Sequence, residues 1–402
     1  MTSGTIPQPE GQCGLAAAGS AVGPAADPAV SGSPASPELL TFGIEEEYLL
    51  VDSGTLLLAP RGNQVRESAH ALGLVTQPEG TLYQVEFATG VSRTADELRA
   101  EIVRARRLLT QAAHEHGCRL IAVGGPVMAP PDPLHLNFDT ERRRRRGVLF
   151  GSMNDSLISC ARHIHVGSLG PETGFPASNR LRPWIPTLLA MSTNSPFWAG
   201  RDTGHASWRT TAWGSWPSAG LPPHFTSLTH YRQAEQSLLD SGAALDRQMI
   251  YWDVRPSSTW PTVETRVTDV TPDVDTAVLL AALCRALVGR TTHLADRSAW
   301  PAVPDDLLKL ARWRAGRDGL DGNGLSPFTG ALTPATTLAW DLVELLTPEL
   351  TATGDLDHVR ATLDRLCREG TGAARQRAAY ARRKRLEDVV HRLVYDTENP
   401  EG

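Results

Sequence analysis

Cysteine is sparse in this 402-residue chain: Cys13, Cys118, Cys160, Cys284 and Cys367 are odd in number and scattered, with no C-x-x-C. That excludes a disulfide framework and a thiolate metal cage. It reads as reduced thiols of a cytoplasmic protein, with Cys284 inside an apolar helix. No uninterrupted apolar run approaches the ~20 residues of a membrane span, and the N-terminus has neither the basic region nor the apolar stretch of a leader, so neither a membrane protein nor an exported one is expected. A net charge of -6 gives no electrostatic reason to expect nucleic acid or an anionic membrane as the main partner. Aliphatic bulk is nearly missing from residues 1–38, which are mostly Ala, Gly, Pro and Ser. Such a segment cannot bury enough surface to offset its ordering entropy and is expected to be a disordered tail. No internal repeat is visible.

The rest of the chain has the makeup of a globular protein, with 41% apolar and 21% charged residues overall. A single domain over 39–395 is expected, followed by a short C-terminal tail, 396–402. Four stretches within it read as β-strands with ionisable residues on alternate positions: Gly43 to Leu50, Leu82 to Phe87, Arg162 to Val166 and Thr262 to Val267. Side chains alternate faces along a strand, so Glu45 with Glu47, Gln84 with Glu86, His163 with His165, and Glu264 with Arg266 each point one way, roughly 7 Å apart. One sheet face would gather carboxylates, imidazoles and an arginine, the makeup of a magnesium-nucleotide site. Glu46 falls on the apolar face, where an unpaired charge is costly, and it needs a partner that the sequence does not identify.

Between these strands, Thr94-Ala95-Asp96-Glu97 is a capping box for a helix with an apolar stripe at Leu98, Ile102, Ala105, Leu109 and Ala112, which should cover the apolar side of the sheet. Leu120 to Val123 reads as another strand, ending at a Gly124-Gly125-Pro126 turn, and Asp273 caps an all-round apolar helix from Val274 to Leu287. The five arginines Arg142 to Arg146 read most simply as a solvated helical face; a role for one or two near nucleotide phosphates is the alternative. From Asn194 to Pro223 the chain reads as irregular, a length that usually binds something, and its Trp-, Gly- and Pro-rich part from Trp198 to Pro223 is a candidate lid. Packing alone is the simpler account of Trp198, Trp208, Trp213 and Trp216.

A hard divalent cation such as magnesium takes oxygen ligands and keeps several waters, so one or two carboxylates per ion plus substrate phosphates is the usual arrangement. Glu45, Glu47, Glu86 and Glu264 supply four carboxylates from three strands, which suits two or three ions bridging a triphosphate. His163 can complete a magnesium or manganese shell, and His165 can donate to a phosphate. Zinc on the His-x-His pair and two purely structural histidines are the alternatives. Arg266 would place a permanent cation where charge develops on a transferring phosphoryl group.

These segments, Gly43-Ile44-Glu45-Glu46-Glu47-Tyr48-Leu49-Leu50-Val51-Asp52, Cys160 to Gly167, Asn194-Ser195-Pro196-Phe197-Trp198 through Gly204, Trp252-Asp253-Val254-Arg255-Pro256 and Thr262 to Val267, resemble in order the bacterial carboxylate-amine ligase family, also called glutamate-cysteine ligase type 2. The resemblance runs from about Leu40 to the C-terminus. It departs from the usual pattern at Ala161, commonly glycine, and in the arginine run.

The resemblance implies an α+β fold of the glutamine-synthetase type: a curved antiparallel β-sheet with helices on its convex face, and ATP and metal ions on its concave face. It implies ATP- and Mg2+-dependent amide formation through an acyl phosphate, with glutamate as the acid and cysteine or another amine as its partner. By similarity Glu45, Glu47, Glu86, His163 and Glu264 are metal ligands, His163, His165 and Arg266 contact nucleotide, and Glu264 and Arg266 are catalytic. Arg201, Arg209 and Arg255 are expected to grip a substrate carboxylate. Self-association into a homo-oligomer is compatible with the sequence. Two other readings stand beside ligation: a guanidino kinase on the same superfamily fold, and a non-catalytic nucleotide-binding regulator.

Overall fold

The computed structural model describes residues 40–167, 171–293, 300 and 302–400, so the expectation of a tail over 1–38 lies outside the described residues. The sheet is open and mixed in length. Its strands are β1 (Phe42–Asp52), β2 (Thr76–Gln77), β3 (Gln84–Ala88), β4 (Cys118–Ile121), β5 (Ala161–Gly167), β8 (Val254–Pro256) and β9 (Thr262–Asp269), while β6 (Phe197–Trp198) and β7 (Arg201–Asp202) form a separate hairpin. The order is β2-β3-β1-β5-β9-β8, and every pairing is antiparallel. β1 is central because it is long enough to serve three neighbours: Phe42 to Glu46 pair with β5, Glu45 to Leu49 with β3, and Leu49 to Asp52 with β4.

Alternation sorts the sheet into two chemical faces. Ile44, Tyr48, Val85, Phe87, Ile164, Val263 and Val267 are buried in the main core. They lie beneath the Ala95–Glu115 and Val274–His293 helices, which share that core. The first of these helices carries both halves of the Thr94/Glu97 capping box and buries Leu98, Ile102, Ala105, Leu109 and Ala112. The second holds Asp273 at its start, where the carboxylate accepts the Asp275 N–H at 2.8 Å.

Glu46 is on this apolar face and is fully buried. Two of its partners come from distant sequence and one is local: Arg106 Nη2 donates to Glu46 Oε1 at 2.9 Å, Arg162 Nη2 donates to the same oxygen at 2.5 Å, and Tyr48, two residues on, donates its hydroxyl hydrogen. Burial pushes the Glu46 carboxyl up, but the two guanidinium groups outweigh it and hold the group down at about 2.

Three expectations need correction. The terminal helix, Leu386–Glu398, passes the boundary drawn at 395: Thr397 Oγ1 accepts the Ala122 N–H at 2.9 Å and Glu398 accepts from Arg119 Nε at 2.9 Å, so these residues belong to the domain. The arginine run is not a uniformly solvated face, because the Glu141–Phe150 helix turns Arg142, Arg143 and Arg146 toward a cavity and leaves Arg144 and Arg145 outside. The segment after Asn194 is more ordered than its composition suggests. It contains the β6/β7 hairpin and a Trp208–Trp213 helix, and Trp216 is buried against Phe150, Trp213 and Tyr251.

Candidate functional site

The face of the sheet opposite the helices lines a cavity of about 390 Å3. Register brings its side chains together: Glu45 lies opposite His163, Glu47 opposite Glu86, and His165 opposite Glu264. The β5/β9 pairing shifts between Arg162 and Ile164, so His163 sits at an irregularity that re-aims it relative to its strand neighbours. His163 Nδ1 lies 2.9 Å from Glu45 Oε2 and Nε2 lies 3.8 Å from Glu47. His165 Nδ1 meets Thr262 Oγ1 at 3.0 Å, which leaves Nε2 toward Glu45 at 3.4 Å. Glu264 is held by Arg255 Nε at 3.0 Å and by Arg266, whose guanidinium also lies over the Tyr251 ring at 5.8 Å.

The carboxylates divide electrostatically. Burial opposes ionisation of Glu45, but hydrogen bonds and charge from His163 and His165 hold it far below the usual range; at Glu264 the same burial is overcome by Arg255 and Arg266. Glu47 and Glu86 go the other way. Burial and the nearby Glu79 carboxylate push Glu47 up to about 8, and burial with Glu79, Glu45 and Glu47 pushes Glu86 well above its ordinary value. His163 is pushed down by burial and by Arg266, whereas Glu45 and Glu264 overcome burial to raise His165.

Ligand atoms of Glu45, Glu86 and His163 lie within 4.8 Å of one another, as do those of Glu45, His165 and Glu264, and those of Glu47, Glu79 and Glu86. An oxygen-rich donor set with two carboxyls kept from ionising by burial and by their own crowding fits hard divalent cations, and no cysteine contributes to these sets. Glu79 is the member of these candidate sets that strand alternation missed. It lies in the loop after β2, where no period marks it; only its place beside Gly80, at a turn before a strand bearing Glu86, hinted at it.

The three arginines expected to grip a carboxylate fare differently. Arg201 is exposed on the β6/β7 hairpin and does not line the cavity, because the hairpin carries it elsewhere. Arg209 and Arg255 line it but are already bound: Arg209 Nε donates to Asp269 at 2.7 Å and a second nitrogen donates to the Val267 carbonyl at 2.5 Å, while Arg255 spans Glu264 and the Ile250 carbonyl. Arg142, Arg143, Arg146, Trp213 and Tyr251 also line the cavity.

Residues 41–394 match the model of glutamate-cysteine ligase family 2. The chain is 44% identical to a protein provisionally named glutamate-cysteine ligase 2-1 in Saccharopolyspora erythraea, covering 89% of this chain and 95% of that one. It is also 44% identical to one provisionally named glutamate-cysteine ligase 2-3 in Mycolicibacterium smegmatis, covering 89% and 98%. Its fold is similar to that of the glutamate-cysteine ligase of Francisella tularensis solved in complex with AMP, with a TM-score of 0.66 at 12% identity over 89% of each chain. It is likewise similar to a bifunctional glutathione synthetase from Pasteurella multocida, with a TM-score of 0.65 at 12% identity over 90% of this chain; the chain spans about half of that protein's length, 52%. Among the described residues no helix is long and apolar enough to cross a membrane.

Proposed function

Because the chain belongs to the glutamate-cysteine ligase family 2 and is therefore a carboxylate-amine ligase, we propose that it joins the γ-carboxylate of glutamate to the amine of cysteine or of a related amino compound, at the expense of ATP and with Mg2+. The observation that carries this reading is the cavity that gathers Glu45, Glu47, Glu86, Glu264, His163, His165 and Arg266.

A carboxylate does not condense with an amine in water at useful rates, so it must first acquire a leaving group. In this reading its oxygen attacks the γ-phosphorus of ATP, ADP leaves, and an acyl phosphate forms. The free-base amine then attacks the acyl carbon, the amide C–N bond forms, and phosphate leaves. Glu45, Glu47, Glu79, Glu86, Glu264 and the two histidines would hold divalent ions, which supply charge neutralisation for the triphosphate. Arg266 is held by Glu264 and by the Tyr251 face, so its guanidinium is fixed before substrate arrives and needs little reorganisation when charge develops. Half-buried Trp213 and buried Tyr251, packed against each other in the cavity wall, would limit water, which would otherwise hydrolyse the acyl phosphate.

The test is purified protein with ATP, Mg2+ and glutamate, with and without an amine. Phosphate release that depends on both acid and amine is expected, together with a glutamyl hydroxamate when hydroxylamine replaces the amine. Phosphorylation of a nitrogen compound with no acid present would move the chain to the kinase reading.

A further inference from the structure

A helix packed on one side of a domain ordinarily turns polar residues to water on the other, and the Asp305–Asp318 helix departs from that rule. It buries Leu308, Ala311, Ala315 and Gly316 against the domain, and Arg312 on its flank donates to Asp253. Its outer stripe is Asp306, Leu310, Trp313 and Arg317, spaced four, three and four residues apart and all exposed. Leu310 is 59% exposed and Trp313 55%. Intervals of four and three are those of a helix face that meets another helix. The hairpin of Asn323–Leu325 and Leu332–Pro334 runs alongside, since Arg314 Nε donates to the Asn323 carbonyl at 3.3 Å and a Cβ at Gly330 would come within 3.2 Å of Leu307. It adds Phe328 and Leu332, each more than half exposed, and Phe328 is steadied by the edge of Trp184 at 5.7 Å between ring centroids. Grouped apolar exposure of this kind marks an interaction surface.

The order of the stripe identifies its occupant. Acidic residues in a first turn and basic ones in a last turn suit a helix's own dipole, so the charges alone decide nothing. The dipole does not explain the exposed leucine and tryptophan between them, nor their symmetry: the midpoint of Leu310 and Trp313 is also the midpoint of Asp306 and Arg317. When a helix packs antiparallel on a copy of itself across a two-fold axis, residues equally far from the axis on either side come opposite each other. An axis at that midpoint sets Asp306 opposite Arg317 of the second copy, each about 8 Å from the axis along the helix, with Leu310 and Trp313 of both copies between. The charges are available for this contact. Asp305 is taken by Arg182 while Asp306 has no ion pair among the described residues, and Arg314 and Arg317 share the single carboxylate of Asp318. The same axis keeps both hairpins on one side of the helix pair, where Phe328 and Leu332 extend the apolar contact. A self-complementary pattern is what a second copy requires and an unrelated partner does not.

We propose that the chain forms a two-fold dimer through antiparallel packing of the Asp305–Asp318 helix on its copy, with Leu310 and Trp313 at the centre and reciprocal Asp306–Arg317 pairs at the ends. The contact is closed, so it stops at two chains. Tryptophan and arginine are the residues that most often anchor such surfaces. Nothing in this inference depends on the substrates, and it stands or falls separately from the ligase reading.

The test is sedimentation velocity and light scattering of the full chain over about 1 to 500 µM, with circular dichroism to show that each variant is folded. The unaltered protein should be in reversible monomer–dimer equilibrium with a Kd of roughly 1–100 µM, the range suited to an interface of one helix and one hairpin. Leu310→Glu should weaken the dimer by about 100-fold or more, because it buries a carboxylate at the centre. Asp306→Arg and Arg317→Glu should each weaken it by roughly 10-fold, since each sets like charges opposite one another, and the two together should restore the Kd to within about 3-fold. A chain that stays monomeric at about 500 µM, or that assembles without limit, would overturn the inference. So would a dimer that Leu310→Glu leaves intact, which would place the interface elsewhere, and so would single charge reversals that the double variant does not rescue, which would remove the antiparallel register.

Discussion

Glu45, Glu46 and Glu47 are consecutive residues of one strand with opposite fates. Glu46 faces the helices, is fully buried, and is met by two guanidinium groups and a tyrosine hydroxyl, so its charge is neutralised inside the protein. Glu47, one residue on, shares its side of the sheet with Glu79 and Glu86, and its carboxyl is pushed up to about 8. The strand pleat separates the two environments. The difference teaches that burial alone does not mark a site: a carboxylate given internal cations is structural, and one gathered with its own kind has the makeup of a cation site.

The sharpest way to break that comparison is to neutralise the carboxyls one at a time. Glu47→Gln and Glu86→Gln should lower turnover by more than about 10^3-fold, equivalent to more than about 4 kcal/mol of barrier, while leaving metal-free stability little changed below about pH 8, where these carboxyls are already held un-ionised, and raised above it, where removing a charge from a crowded acidic cluster relieves repulsion. Steady-state kinetics with thermal melts of the same samples checks this; retained activity in both variants would remove the metal role. Glu264 is a poor choice for this experiment, since Arg255 and Arg266 depend on it.

Glu46→Gln should do the reverse. It leaves Arg106 and Arg162 buried side by side without a carboxylate, and about 3–5 kcal/mol of stability should be lost. Whatever folds should retain its kcat. A denaturant titration beside an assay below the melting temperature separates the two effects, and a loss of kcat at full folding would place Glu46 in the chemistry.

Arg266→Lys is a smaller intervention. Lysine keeps the charge but loses the planar fork that meets both Glu264 and the aromatic face, so about 2–4 kcal/mol of transition-state stabilisation should go, seen in kcat more than in KM for ATP. An unchanged kcat would assign Arg266 the task of holding Glu264.

Much of this was legible in the sequence because period-2 alternation is a local signal. It placed Glu45, Glu47, Glu86, His163, His165, Glu264 and Arg266 on one face without any knowledge of pairing. The capping box at Thr94 and the apolar stripe of its helix were legible for the same reason. What was not legible depends on long-range closure. Arg106 and Arg162 reach Glu46 across 60 and 116 residues, and Glu79 reaches Glu47 and Glu86 from a loop that has no period. Within the arginine run, composition cannot tell Arg146 from Arg145; only the angle at which the Glu141–Phe150 helix docks turns one inward. Arg209 looked free because its partner, Asp269, lies at the end of β9.

The smallest expected effect follows from the raised carboxyls and concerns pH. A group whose folded-state pKa lies above its unfolded value favours folding most at low pH, and that contribution is lost as pH rises through the folded pKa. For Glu47, raised from 4.5 to about 8, the metal-free protein should therefore lose stability between roughly pH 4.5 and 8, and Glu86, raised by the same burial and crowding, should act in the same direction. Glu46, Glu45 and Glu264, all lowered, contribute in the opposite sense, and only below about pH 4.5, so the windows do not overlap. Divalent cations bind the ionised forms and displace those protons, so Mg2+ or Mn2+ should raise the melting temperature by a few degrees more at pH 8 than at pH 6. Melting curves over pH 5 to 9 with metal and with chelator check this. In Glu47→Gln the pH slope of the chelated protein should flatten, and in a protein whose slope is unaffected by that change the crowding at Glu47, Glu79 and Glu86 would not be the source of the raised carboxyl.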